Sequence, residues 1–123
     1  MIHSVGIDVI EIRRMEQSLA RFGARFRRRV FTEEECRYCD GRAEPPVHFA
    51  ARFAAKEAMM KALGTGWGNG VDWKQIQVIS HSGRPPLLAV SGRAADLCGS
   101  MRIHLSLTHS RLMAAAVVVL EQV

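Results

Sequence analysis

The stretch from 49 to 63, FAARFAAKEAMMKAL, is a helix with no obvious side for water. At about 100° per residue, Phe49, Phe53, Met60 and Leu63 form a bulky stripe. Arg52 and Lys56 flank it on one side, and Glu57 and Lys61 on the other. The remaining face is Ala51, Ala54, Ala55, Ala58 and Ala62. A solvated face carries long polar side chains, whereas an alanine face lets neighbouring backbone come close. The helix is therefore expected to be packed on most sides, with its charges in grooves. Glu57 and Lys61 also fit an i, i+4 surface pair worth about 0.3–0.5 kcal/mol. The alanine face favours a different account: a part-buried carboxylate beside cations, suited to a divalent metal, a polyphosphate or both.

The flanking sequence supplies the elements around this helix. Residues 2–10, IHSVGIDVI, read as a strand, with Val5, Ile7 and Val9 on one face and Ile2, Ser4, Gly6, Asp8 and Ile10 on the other. Residues 11–22 read as an amphipathic helix, with Ile12, Met15, Leu19 and Phe22 inward and Arg13, Arg14, Gln17 and Arg21 outward. Gly23 is its C-cap. Thr32 with Glu35 matches a capping box that opens a second helix. The EPP at 44–46 breaks the chain, the central helix runs from about His48 to Leu63, and GTGWGNG ends it. Beyond it, WKQIQVIS and PLLAV read as strands around an SGRP turn, and SGRAADLCG as a short helix N-capped by Ser91. RIHLSLTH and LMAAAVVVLE read as strands joined by a hairpin turn at THSR. The expected fold is α+β: one domain over residues 1–123, a largely antiparallel sheet, and helices on one side.

Composition bounds the partners. The chain has 123 residues, enough for one core. It holds no run of about 18 uncharged apolar residues, and no basic region precedes an apolar stretch at the N-terminus, so no membrane span or signal peptide is expected. Three cysteines imply no disulfide framework, and a reducing cytoplasm is the expected location. Of 17 basic residues only Lys56, Lys61 and Lys74 are lysine, and seven arginines fall between Arg13 and Arg29. A genome that favours arginine codons accounts for part of this. The clustering points to an acidic partner, because the planar guanidinium suits carboxylate and phosphate.

Asp8 sits inside a strand, where aspartate is disfavoured, and Gly6 on the same face leaves space beside it. Either Asp8 ends the strand and caps the helix at Glu11, or it joins Glu57 as a hard oxygen ligand for Mg²⁺.

Four segments, GIDVIEIRR at 6–14, FAARFAAKEAMMKALGTG at 49–66, GRPP at 83–86 and LSLTHS at 105–110, resemble the holo-acyl-carrier-protein synthases, the small 4′-phosphopantetheinyl transferases. The resemblance spans almost the whole chain. It implies the phosphopantetheinyl transferase fold and transfer of the phosphopantetheine arm of coenzyme A to a serine of apo acyl carrier protein, in fatty acid synthesis or on a polyketide carrier. It further implies Mg²⁺ (or Mn²⁺) on Asp8 and Glu57, and Lys61 on a phosphate oxygen. Arg52 and Lys56 would meet the 3′-phosphate or a neighbouring chain, and Arg52, Gly64, Gly66 and Trp67 would border coenzyme A. A homotrimer with active sites between subunits would bring Pro86 and His109 from the neighbour. Asp8, Glu57, His109 and a metal-bound water all remain open as the general base. Arg13, Arg14 and Arg21 would dock the acidic carrier protein, and the basic run at 25–29 either extends that face or binds nucleic acid nonspecifically.

Other signals carry less. Cys36 and Cys39 form a CxxC late in a helix, which suits packing better than zinc or redox chemistry. His3, His48, His81 and His104 have no ligand spacing, and Met59 and Met60 read as core. A nucleic-acid module would need stacking aromatics that the chain lacks. A Mg²⁺-dependent phosphohydrolase shares the carboxylate pair but has no use for an arginine-lined docking helix. No nucleic-acid or membrane partner is expected.

Overall fold

The structure, a computed structural model, describes residues 1–66, 69–81 and 83–123. Alternation in the first residues gives strand β1 (Ile2–Glu11), which runs on into α1 (Ile12–Val30). After α2 (Glu33–Asp40) comes the central helix α3 (Pro45–Leu63). Next come β2 (Ile76–Ile79), β3 (Leu87–Val90), α4 (Gly92–Cys98), β4 (Arg102–His109) and β5 (Met113–Glu121). Among the described residues the strands form two antiparallel sheets, a three-stranded one in the order β1-β5-β4 and a β2-β3 ribbon, where a single sheet was expected. The expected hairpin turn lies between β4 and β5, where Ser110 N donates to the Met113 carbonyl at 2.8 Å.

Register explains which face of β1 is covered. Gly6, Asp8 and Ile10 pair with Val118, Ala116 and Ala114 of β5, and Leu105, Leu107 and His109 of β4 flank the same residues. α3 lies across this face. A Cβ built on Gly6 would overlap the Ala58 carbonyl oxygen and lie 2.8 Å from its carbon and 2.9 Å from Ala62 N. The space expected beside Asp8 is therefore filled by α3 backbone, and the alanine face is what permits the approach. Ser4 Oγ donates to the Ala62 carbonyl at 2.6 Å and fixes the same contact. On the outer face of the sheet, Val5, Ile7 and Val9 stay 52–60% exposed.

Helix ends follow their sequence signals, with three corrections. Gly23 interrupts α1 at φ 54°, ψ −133°, but the basic run after it continues as helix to Val30. Phe22, expected inward, is 53% exposed in the turn before that break. Phe26 fills the inward position instead, against Phe31 and Phe53. The prolines of EPP open α3 rather than break the chain, since a proline at the first turn lacks only an amide that would be unpaired anyway. Ser91 stands at the α4 N-cap but makes no side-chain cap bond. The Thr32–Glu35 capping box is formed in both directions, at 2.9 and 3.2 Å. Part of the SGRP turn, Ser82, lies outside the described residues.

Lys56 is fully buried rather than in a groove. Its ammonium pairs with Glu35 at 2.8 Å and donates to the Trp73 and Ile76 carbonyls. Burial pulls its pKa below the ordinary lysine value while Glu35 pulls it up. Lys56 is thus a structural cation that ties α2 and the start of β2 to α3. Met59, Met60 and Cys39 are also buried core residues, and burial pushes the Cys39 thiol up to about 12, far from thiolate chemistry.

Gly6→Ala is expected to cost about 3 kcal/mol or more in chemical denaturation, because backbone rather than a flexible side chain blocks the new methyl. Gly41→Ala, whose Cβ would meet nothing nearer than 3.4 Å, is the control and should change stability by less than about 0.5 kcal/mol.

Candidate active site

α3 delivers its four charges to three different places. Glu57 meets Asp8 across the helix–strand contact, and both line a cavity of about 350 Å³ with Arg14, Met15, Phe26 and Phe53. Asp8 remains within β1, and α1 is capped at Glu11 with no side-chain cap bond, which removes Asp8's alternative as a helix cap. Lys61, one turn beyond Glu57, reaches over β1: its Nζ donates to the Ile7 carbonyl at 2.9 Å and to Asp8 Oδ1 at 3.2 Å. Its side chain is still 53% exposed, so the ammonium keeps an open side.

Burial raises the Glu57 pKa above the ordinary value, the Asp8 carboxylate raises it further, and Lys61 lowers it. A carboxylate whose ionisation is penalised by burial and by a second carboxylate, at the wall of a cavity, belongs to a donor set that a hard dication relieves. No group of three or more His, Cys, Asp or Glu suited to a metal occurs among the described residues. The pair suits Mg²⁺, which needs only one or two protein carboxylates and completes its shell with water and phosphate.

Arg52 points to a different cavity, of about 220 Å³, which Pro86 and His109 also line. The two cavities share no lining residue. One chain therefore holds the Asp8–Glu57–Lys61 group and the Arg52–Pro86–His109 group apart. His109, at the end of β4, also borders a third cavity beside the start of α3. At the end of α3, Gly64 takes a left-handed φ of 77°, and Gly66 follows at φ 57°. Thr65 N donates to the Met60 carbonyl at 3.2 Å and closes the helix there. Trp67 lies outside the described residues. Arg13, Arg14 and Arg21 are exposed on α1 as expected, and Arg14 alone of the three also lines the Asp8 cavity.

Sequence reasoning set His48 aside, yet it lines the Arg52 cavity together with Tyr38, Ser80 and Arg84. Its pKa is lowered, first by burial and then by Arg52, Arg42 and His109. The i, i+4 spacing of His48 and Arg52 was the available signal. Nothing local marked Tyr38 or Ser80.

A helix packed across an antiparallel sheet, with paired carboxylates and a lysine at their contact, can hold a dication and a phosphate side by side. The profile of the 4′-phosphopantetheinyl transferase superfamily matches residues 4–117. The holo-[acyl-carrier-protein] synthase of Koribacter versatilis is 46% identical over 98% of this chain and 99% of its own length. That of Syntrophus aciditrophicus is 43% identical over 98% and 97%. Among solved structures, the holo-(acyl-carrier-protein) synthase of Bacillus anthracis, in complex with CoA (3′,5′-ADP), superposes with a TM-score of 0.85 at 38% identity, covering 100% of this chain and 99% of that one. The Neisseria meningitidis enzyme gives a TM-score of 0.87 at 31% identity, covering 99% and 100%. The chain belongs to the holo-[acyl-carrier-protein] synthases and is a phosphopantetheinyl transferase.

The raised Glu57 pKa has a sign that can be checked. A carboxyl whose folded pKa is raised contributes stability below its unfolded pKa, and that contribution is lost as pH rises through the folded value. In metal-free protein, Glu57→Gln should match the parent in thermal stability near pH 4 and exceed it at pH 7. Added Mg²⁺ should raise the melting temperature of the parent and not of the variant. A stability difference that does not change with pH would contradict the assignment of strain to Glu57.

Proposed function

We propose that the chain moves the 4′-phosphopantetheine arm of coenzyme A onto a serine of an acidic apo acyl carrier protein, using Mg²⁺, as a cytoplasmic homotrimer. The observation that carries this reading is the meeting of Asp8 and Glu57 at one cavity wall, with Lys61 paired to Asp8 at 3.2 Å, in a chain of this family. Asp8 and Glu57 would hold the metal, which supplies charge neutralisation at the pyrophosphate. Lys61, steadied by the Ile7 carbonyl, would set its open side against a phosphate oxygen. The serine oxygen forms a bond to the β-phosphorus, the bond from that phosphorus to the bridging oxygen breaks, and adenosine 3′,5′-bisphosphate leaves with the electron pair. The serine proton passes to a base among Asp8, Glu57, His109 and a water. Catalysis here is positioning and electrostatics more than covalent chemistry.

Two features support shared sites between subunits. The Arg52, Pro86 and His109 group belongs to a cavity separate from the carboxylates, so one subunit would contribute the metal side and its neighbour the coenzyme A phosphate side. The outer sheet face of Val5, Ile7 and Val9 is apolar and open, which suits burial against further copies of the chain. Gly64 and Gly66 would let backbone approach the coenzyme. On the outside of α1, Arg13, Arg14 and Arg21 would meet the carboxylates of the carrier, and fatty acid synthesis is the expected setting.

Incubation with an apo acyl carrier protein, coenzyme A and Mg²⁺ should add the mass of one phosphopantetheine to the carrier. Asp8→Ala should fold and lose transfer by about 100-fold or more. A parent protein that leaves the carrier mass unchanged would overturn the reading.

Lys61→Ala and His109→Ala subunits, each inactive alone, should regain activity when dissociated and reassembled together, because some interfaces then hold both groups. A mixture as inactive as its parents, after proven subunit exchange, would put both residues in one subunit's site.

A further inference from the structure

The Arg52 cavity holds a cation without a counter-charge. Arg52 is 2% exposed, and among the described residues no carboxylate pairs with it or lines its cavity. The other charged or titratable side chains there, Tyr38, His48, His81, Arg84 and His109, are basic or neutral. A buried guanidinium is costly unless it is paired and hydrogen-bonded. Here it is only partly satisfied. Nη2 donates to Ser80 Oγ at 2.6 Å, Nη1 makes a long bond to the His48 carbonyl at 3.4 Å, and Nε has no partner among the described residues. The guanidinium carbon lies 4.2 Å from the centre of the Tyr38 ring. Arg42 approaches the same ring at 5.4 Å, so the site gains positive charge from that side as well.

Tyr38 comes from α2 and Ser80 follows β2, and the two touch Arg52 in complementary ways. The ring sets the plane of the guanidinium, since a cation is held over an aromatic face. The serine oxygen fixes its rotation within that plane by accepting from one Nη. A long, flexible side chain is thereby held in one geometry before any ligand arrives, which lowers the cost of binding. The two arginines and three histidines of the lining, with no carboxylate among the described residues, and the small cavity suit a phosphomonoester dianion.

We propose that Tyr38 and Ser80 are positioning residues that hold Arg52 for the 3′-phosphate of coenzyme A, and so set how strongly the enzyme prefers coenzyme A over 3′-dephospho-coenzyme A. This rests on the transferase reading above and adds to it the two residues that prepare the arginine.

The test compares kcat/KM for coenzyme A and for 3′-dephospho-coenzyme A with the same apo carrier protein. In Tyr38→Leu the ratio of the two should fall about fivefold to tenfold, through KM rather than kcat. Tyr38→Phe keeps the aromatic face and should keep the ratio. Ser80→Ala should lower it about threefold. A merely structural role would reduce activity with both donors equally and leave the ratio unmoved. An unchanged ratio in folded Tyr38→Leu and Ser80→Ala overturns the proposal. Should Tyr38→Leu not fold, Ser80→Ala alone decides in the same way. A parent enzyme with a ratio near one overturns it too, while its transfer activity leaves the transferase reading standing. No transfer from either donor would overturn that reading itself.

Discussion

The contact between Gly6 and the backbone of Ala58 sets the geometry of everything else. β1 and α3 approach so closely that no side chain fits between them at this point. The closeness brings a strand carboxylate, Asp8, to the level of a helix carboxylate, Glu57, and lets the Lys61 side chain reach the Ile7 carbonyl over the strand. A larger residue at position 6 would push the strand from the helix and separate all three. Alanine on the helix and glycine on the strand are therefore as much a part of the site as the groups that carry charge.

α3 distributes its charges by register. Arg52, Lys56, Glu57 and Lys61 lie within three turns and reach three places: Arg52 a cavity that no carboxylate lines among the described residues, Lys56 the core, and Glu57 and Lys61 the neighbourhood of Asp8. A 100° step per residue separates neighbours such as Lys56 and Glu57 by more than a quarter-turn, enough to put one inside and one at the site. The pairing of Lys56 with Glu35 removes one cation from the neighbourhood of Glu57, so the raised Glu57 pKa is countered only by Lys61.

Local signals were readable in the sequence because their physics is local. The Thr32–Glu35 box, the stop at Gly64 and the break at Gly23 each rest on a few adjacent residues. The closeness of Asp8 and Glu57 was also legible, from an aspartate out of place in a strand and an alanine face that called for tight packing. Lys56 was not legible, since its burial depends on a carboxylate 21 positions earlier in the chain that looks fully occupied by its cap. The exposure of Phe22 depended on which of two phenylalanines the break at Gly23 turned inward, and helical spacing fixed only the first. The division into two sheets, and the place of Tyr38 and Ser80 beside Arg52, arise from tertiary contacts with no sequence period behind them.

Glu35 illustrates how narrow the choice of a residue becomes. One oxygen accepts from the Thr32 amide at 2.9 Å and the Lys56 ammonium at 2.8 Å; the other accepts from the Val78 amide at 2.8 Å. Glutamine would turn an NH₂ toward one of these donors, and aspartate is one methylene too short to reach all three. The first turn of one helix, the middle of another and the edge of a ribbon thus share a single spacer of fixed length. Their separations vary together, and a family member that changes this side chain must re-dock three elements at once.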